Sequence, residues 1–343
     1  MKDIKELSLV ELKDKLRQWQ HPDFHAAQIL RWIYQRGVQE FSQMTDLSAG
    51  LRRKLDENFS LGNLRLKSIL ASRDGTEKFL LQLGDGHLIE SVMIPTQARF
   101  TGCVSTQVGC KFACLFCASG MGGFKRDLTV AEILGQVLYL KYNSQAKNLT
   151  HLVFMGIGEP LDNYDNVLRA VRTLNSKDGL GLGARRITIS TCGIIPGIRR
   201  LSEEKLQIEL SVSLHSADDR TRSLLVPVNK KYPLKDLIAA CQEYIKKTKR
   251  QITFEYVLIK DINSSLSNAQ KLTGLCRILK TCKVNLIPAN IVGEKQIQPP
   301  NKLEILLFRD RLLKSGINVT LRKARGGDIQ ASCGQLRLRY EKK

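Results

Sequence analysis

The chain has 343 residues, 43% of them hydrophobic and 25% charged, enough for one large domain plus a small one or for a single barrel. Its 54 lysines and arginines against 33 aspartates and glutamates give a formal net charge of +21, which points to a polyanionic partner, since each neutralised phosphate releases counterions, with a generally basic surface that has no dedicated partner as the alternative. No apolar run approaches the roughly 18 residues of a membrane helix, and nothing at the N-terminus reads as a secretory signal, so a cytoplasmic protein with no membrane partner is expected.

Residues 1 to 62 read as a helical accessory unit. Leu7, Leu9, Val10, Leu12 and Leu16 recur at helical spacing, as do Ala26, Ile29, Leu30, Ile33 and Tyr34. Ser8 and Glu11 form a capping-box pattern, and Gly37 stands where the second helix would end. Trp32, Tyr34 and the basic residues Arg31, Arg36, Arg52, Arg53 and Lys54 are candidates for an RNA-facing surface, although aromatics in such positions usually pack in the core.

Between 63 and 98 the pattern turns to short alternating runs at 64–71, 77–83 and 87–94, separated by Asp74-Gly75 and Asp85-Gly86. These are hairpin turns, and the segment is expected to be a small antiparallel element. Glu90 falls in its last strand, where, read alone, it is a solvated carboxylate.

The stretch Cys103 to Arg126 follows, with cysteines at 103, 110, 114 and 117. Cys110, Cys114 and Cys117 form a C-x3-C-x2-C run that brings three thiolates within reach of one metal centre. Four thiolates normally close a 4Fe-4S cluster, so three leave one iron open to a substrate or cofactor. With Cys103 as a fourth ligand the site would instead be closed structural zinc. Nine cysteines, an odd number, fit a metal or redox protein better than a disulfide scaffold.

Beyond residue 99, apolar and often β-branched runs at 100–106, 150–156, 186–191, 207–214, 252–259, 283–288 and 317–322 read as strands. Helical patterns near 129–143, 163–176, 233–248, 265–280 and 301–315 fill most of the gaps. Near-continuous apolar strands separated by helices indicate an α/β fold, a parallel sheet wrapped by helices and closed as a partial or full βα barrel. This core spans 99–336, with 337–343 as a tail. Chemistry in such folds gathers at the C-terminal strand ends, which unites Gly158 and Glu159, Ser190, Ser213 to His215, and Asn290 in one expected pocket facing the cysteine loop. Cys333 lies in the basic, glycine-rich segment Arg322 to Leu336, the setting of a nucleophilic thiolate, with a structural cysteine as the alternative reading of the residues alone. Cys192, Cys241, Cys276 and Cys282 read as small buried hydrophobes.

The C-x3-C-x2-C run with Phe116 before its last cysteine resembles the radical S-adenosylmethionine (SAM) superfamily signature. IESVMIP at 89–95, GCKFACLFCASG at 109–120, FMGIGEP at 154–160, RRITIST at 185–191, SLH at 213–215, NLIPAN at 285–290 and RKARGGDIQASCGQL at 322–336 resemble, more narrowly, the RlmN family of radical SAM adenosine C2 methyltransferases. Met121 departs from that pattern, standing where a polar residue is usual. The resemblance implies that Cys110, Cys114 and Cys117 bind a 4Fe-4S cluster whose open iron chelates SAM. It makes Gly158, Glu159, Ser190, Ser213, Leu214, His215 and Asn290 SAM-contacting positions, Cys333 the cysteine that is methylated, Cys103 its resolving partner through a transient disulfide, and Glu90 the proton acceptor. The implied substrates are 23S ribosomal RNA at adenosine 2503 and transfer RNA at adenosine 37, with an external electron donor and disulfide reductant and a monomeric enzyme.

Adenine C2 is not nucleophilic, so a polar attack on the SAM methyl is closed to it. The implied route therefore methylates Cys333 with one SAM, activates that methyl with a second, and releases product when Cys103 attacks the Cys333 sulfur. The sister Cfr group, which methylates C8, shares both cysteines, but Arg322-Lys-Ala-Arg-Gly326 is closer to the C2 enzymes. The rival readings are a non-catalytic, metal-stabilised RNA-binding protein and a radical SAM enzyme acting on a protein or small molecule.

Overall fold

A computed structural model describes residues 1–62, 64–145, 149–290 and 297–336, and the expected tail at 337–343 lies outside the described residues. Strand β1 (Lys2–Asp3) is followed by helices α1 (Leu9–Gln18), α2 (Phe24–Tyr34) and α3 (Ala49–Asn58), and β2 (Phe59–Ser60) returns to pair in parallel with β1. The cap of α1 forms as its sequence predicts. The Glu11 N–H donates to Ser8 Oγ at 3.2 Å, and the Ser8 N–H donates to Glu11 Oε2 at 2.7 Å. Tyr34 is fully buried, sharing the apolar face of α2 with Ile29, Leu30 and Ile33, so its ring is core and unavailable to RNA. Trp32 is half-buried and stacks on the Arg36 guanidinium, 3.8 Å from the ring centroid. Arg31 pairs with Asp178 at 2.8 Å, and the Tyr142 hydroxyl donates to the Tyr34 carbonyl at 3.0 Å. These contacts seat the helical unit on the rest of the chain.

Strands β3 (Arg65–Ala71), β4 (Glu77–Gln82) and β5 (Leu88–Pro95) form two hairpins whose turns use Gly75 at φ 83° and Gly86 at φ 89°. β5 pairs antiparallel with β6 (Phe100–Cys103), placing Val92 opposite Cys103. The hairpins are thus joined edge to edge to the main sheet. A short antiparallel ribbon, β7 (Gln107–Gly109) with β8 (Phe124–Asp127), brackets the cysteine loop.

The remaining chain alternates helix and strand: α4 (Val130–Asn143), β9 (His151–Phe154), α5 (Tyr164–Asn175), β10 (Ile187–Thr191), α6 (Ile195–Glu203), β11 (Glu209–Ser213), α7 (Asp219–Leu225), α8 (Leu234–Thr248), β12 (Ile252–Leu258), α9 (Leu266–Leu279), β13 (Cys282–Pro288), α10 (Lys302–Lys314) and β14 (Asn318–Leu321). The ten-stranded sheet runs β14-β13-β12-β11-β10-β9-β6-β5-β4-β3, parallel from β14 to β6 and antiparallel beyond. It is an open, incomplete βα barrel with an antiparallel extension. β12 is buried at nearly every position, as a strand covered on both faces must be. Among the described residues, no helix is long and apolar enough to cross a membrane.

Candidate active site

The cysteine loop is closed at its base by β7 and β8. Gly109 sits there at φ 78°, and a Cβ would lie 1.8 Å from the Gly123 carbonyl oxygen, so glycine is what lets the two strands meet. The loop is then pinned at two further points. The Leu115 N–H donates to the Leu225 carbonyl at 3.0 Å, and the Ala118 N–H donates to the Gly334 carbonyl at 2.7 Å. Cys110, Cys114 and Cys117 all line one cavity at the C-terminal strand ends, about 960 Å³ counted out to its open mouth. Burial pushes the Cys110 thiol up to about 12, and burial together with the neighbouring Cys117 and Cys110 raises Cys114 strongly. Such thiols ionise when a metal replaces the proton. Among the described residues no three His, Cys, Asp or Glu side chains are arranged to hold a single metal ion, and Cys103 lies in a separate cavity. The place of Cys103 in the second cavity takes from the cysteine loop the fourth thiolate that a closed zinc site would need.

Of the other expected pocket residues, Gly158, Glu159, Ser190, Ser213, His215 and Asn290 line this cavity with Cys333. Leu214 does not line it; its side chain is fully buried, and its N–H donates to the Glu255 carbonyl at 3.1 Å. Glu159 is fully buried, which raises its pKa. Its carboxylate accepts the Cys192 N–H at 2.7 Å and the Leu161 N–H at 3.0 Å, while its own N–H donates to Gln107 Oε1 at 2.9 Å. It therefore braces three segments of the wall. Gly158, at φ 102°, has no room for a Cβ, which would stand 2.6 Å from that of Gln107.

His215 is the wall's polar handle. Its Nδ1 accepts the Val257 N–H at 3.0 Å, which leaves the neutral ring a proton on Nε2, and buried Nε2 has no partner among the described residues. Burial first, then the charge of Arg222, pulls its pKa down to about 3. The Phe116 ring meets it edge-on at 4.3 Å between centroids. An orphaned buried donor beside three thiols fits a cavity built for a polar ligand lying against a cluster.

A second cavity opens beside the first, and Cys333 lines both. In it stand Cys103 and Arg322, whose Nη1 donates to the Cys333 sulfur at 3.5 Å. Burial pushes Cys103 up to about 12, with the neighbouring Cys333 adding to the rise. Asn290 Nδ2 donates to the Cys333 carbonyl at 3.1 Å and fixes that loop to the end of β13. Glu90 lines neither cavity. It is also not the solvated carboxylate its strand pattern alone suggests, because β5 is interior to the sheet and Glu90 is buried on the same face as Val92. Its Oε1 lies 3.1 Å from Lys78 Nζ, and Lys78 in turn donates to the Gln330 carbonyl at 3.2 Å in the Cys333 loop.

Residues 104–266 match the family model described as Radical SAM superfamily, and residues 2–61 match the one described as Ribosomal RNA large subunit methyltransferase N-terminal domain. The probable dual-specificity RNA methyltransferase RlmN of Thermoanaerobacter sp. (strain X514) is 43% identical over 343 residues, covering 100% of this chain and 99% of that protein. Its counterpart in Desulforamulus reducens is 45% identical over 344 residues, covering 99% and 97%. The chain belongs to the RlmN family of radical SAM RNA methyltransferases. The crystal structure of a radical SAM methyltransferase from Sphaerobacter thermophilus superposes with a TM-score of 0.94 at 42% identity, over 98% of this chain and 99% of that one. Superfamily membership implies a 4Fe-4S cluster and SAM, in keeping with the three thiols and the unpartnered His215 donor.

The structure adds residues that sequence reading passed over. Glu255, buried in β12, accepts from Asn285 Nδ2 at 2.8 Å and lines the first cavity. An acidic residue within Ile-Thr-Phe-Glu-Tyr-Val-Leu was the available signal. Gln107 reaches Asp127 at 2.8 Å and Asp162 at 2.9 Å, tying the cysteine ribbon to the loop after β9. No periodicity marks it.

Proposed function

We propose that this chain forms 2-methyladenosine at adenosine 2503 of 23S ribosomal RNA and at adenosine 37 of transfer RNA through a methylated Cys333. The observation that carries the reading is the position of Cys333 on the wall common to both cavities. It faces the cluster-loop thiols on one side and Cys103 with Arg322 on the other. Cys110, Cys114 and Cys117 would hold the cluster, and His215 Nε2 would donate to SAM, with Gly158, Glu159, Ser190, Ser213, Leu214 and Asn290 shaping its site. Bound cluster and SAM supply reductive radical chemistry, which an electron-poor adenine carbon requires.

The protein's own groups have separable tasks. Cys333 receives the methyl as a thiolate, beside the Arg322 guanidinium. Glu90, which lines neither cavity and is held by Lys78, would take the proton from C2 once the bound base reaches it. Cys103, held protonated by its buried site until then, loses its proton and attacks the Cys333 sulfur last. The sulfur–carbon bond breaks, the released carbon takes up a proton to become the methyl group, and a Cys103–Cys333 disulfide is left for an external two-electron reductant. Residues 1–62 and the net charge of +21 would grip the RNA backbone, and the target base would leave its stack to enter. A cytoplasmic monomer, with an external electron donor, completes the reading.

The test uses anaerobically reconstituted protein, reductant, SAM with a deuterated methyl group, and unmodified 23S ribosomal RNA and transfer RNA. Labelled 2-methyladenosine that disappears in Cys333→Ala, with label on the Cys333 peptide of Cys103→Ala, is the expected result. Label at C8 would move the chain to Cfr-type chemistry. No methylated adenosine from a SAM-cleaving protein would overturn the reading.

A further inference from the structure

Arg222, on α7, has no part in the reading above. It is 0% exposed, the largest fully buried side chain of the described residues. Neutral acceptors hold its guanidinium: Asn229 Oδ1 at 2.6 Å and the carbonyls of Cys192 at 2.8 Å, Leu214 at 3.2 Å and Ser213 at 3.3 Å. A buried cation without a carboxylate in contact is costly unless another negative charge lies close. The three carbonyls belong to the C-terminal ends of β10 and β11, the rim that carries the proposed SAM positions. The last residue of the same helix, Leu225, accepts the N–H of Leu115, which stands between Cys114 and Cys117. One short helix therefore grips the cysteine loop with its end and the SAM rim with Arg222.

The carboxylate of Asp219 is reached only through Asn229, whose Nδ2 donates to Asp219 Oδ1 at 2.8 Å; the proposed cluster would bring a second negative charge to the side of the cysteine loop. A cluster bound by three thiolates is an anion, and one further electron makes it more so. Cys192 and Ser213, whose carbonyls accept from Arg222, line the same cavity as Cys110, Cys114 and Cys117. In a water-poor interior such a charge is weakly screened, and the charge around an iron-sulfur cluster sets its potential. We propose that Arg222 is a positioning residue that makes the cluster easier to reduce, its clamped guanidinium offsetting the charge added when an external one-electron donor reduces the site. The donor loses one electron, the cluster gains it, and no bond forms or breaks. The inference rests on the proposed cluster ligands.

The experiment is an EPR-monitored redox titration of the reconstituted full chain without SAM, using dithionite and mediators, on wild type, Arg222→Gln and Arg222→Lys, with iron content measured for each. Arg222→Gln is expected to fall by at least a factor of ten in the reduction equilibrium, about 59 mV for one electron. Arg222→Lys, which keeps the charge but loses the fork, is expected to stay within a factor of about three of wild type. An unchanged potential in Arg222→Gln, or an equal fall in both variants, would overturn the proposal and leave Arg222 a structural clamp. Should Arg222→Gln not fold, Arg222→Lys decides: a potential near wild type supports the charge role, and a tenfold fall sinks it. A wild type with no reducible cluster overturns the ligand assignment and this inference together, whereas an intact, unshifted cluster overturns only this one.

Discussion

Arg322 places a guanidinium nitrogen 3.5 Å from the Cys333 sulfur, and the charge of this half-buried cation also acts on Glu255 and Cys103. One positive charge thus stands among both thiols of the proposed methyl relay and a buried carboxylate. A hydrogen bond to a charged group contributes roughly 1.5–3 kcal/mol. Arg322→Gln is therefore expected to slow alkylation of Cys333 by about tenfold or more at neutral pH, with Arg322→Lys recovering part of the loss. Timed labelling with iodoacetamide and mass spectrometry of the Cys333 peptide measures it, and an unchanged rate in Arg322→Gln would remove Arg322 from the relay.

Lys78 and Glu90 form a pair whose side chains are only 11% and 7% exposed. Removing one partner of such a pair costs about 3–5 kcal/mol, because the other is left charged and buried. Lys78→Met is expected to destabilise by about that much, and Lys78→Met with Glu90→Gln together by much less than the two single changes summed. Urea unfolding of the four proteins closes the cycle; simple additivity would mean the pair is not coupled. Because Lys78 also holds the Gln330 carbonyl, its loss should lower methyl transfer even where the protein stays folded.

The seven parallel strands were legible as apolar, often β-branched runs, and their positions follow the predicted ones closely, even at the sheet edge, where β14 is half exposed. Helices α6 and α7 were not. The first contains Ile-Pro-Gly, which reads as a loop although proline suits a first helical turn, and the second is seven residues of largely polar sequence. The pocket residues at strand ends were visible as punctuation: Gly158 for its turn, Ser213 and His215 as polar ends of an apolar run. Arg222, Gln107 and Lys78 gave no such signal, since their roles depend on which distant backbone or side chain comes to meet them. Glu90 was misread in isolation for the same reason: whether β5 is an edge or an interior strand is decided by β6 pairing beyond it.

His215 sets a pH window on stability. Its folded pKa lies near 3, while the unfolded side chain titrates near its ordinary 6.5. Between those values the unfolded chain binds a proton that the folded one refuses, so the stability this group contributes is complete above pH 6.5 and drains away as pH falls towards 3. The expected slope is about 1 kcal/mol per pH unit. Denaturant unfolding of wild type and His215→Gln from pH 7 to pH 4 reads it as a difference that narrows on acidification; parallel curves would show that the ring is not held neutral by the fold.

Gly109 offers the cleanest separation of the cysteine loop from the barrel. A methyl group there meets the Gly123 carbonyl oxygen at 1.8 Å, and the residue's φ of 78° is unfavourable for any L side chain. The clash falls on the β7–β8 ribbon and not on the sheet. Gly109→Ala is therefore expected to open the ribbon, pull Cys110 away from Cys114 and Cys117, and abolish iron uptake on reconstitution, while far-ultraviolet circular dichroism stays near wild type. Gly122, where an added Cβ meets nothing within 4 Å, is the matched control, and Gly122→Ala should load iron normally. Equal iron content in the two variants would show that the ribbon does not set the spacing of the three thiols, whereas loss confined to Gly109→Ala would tie the proposed cluster site to that one backbone contact.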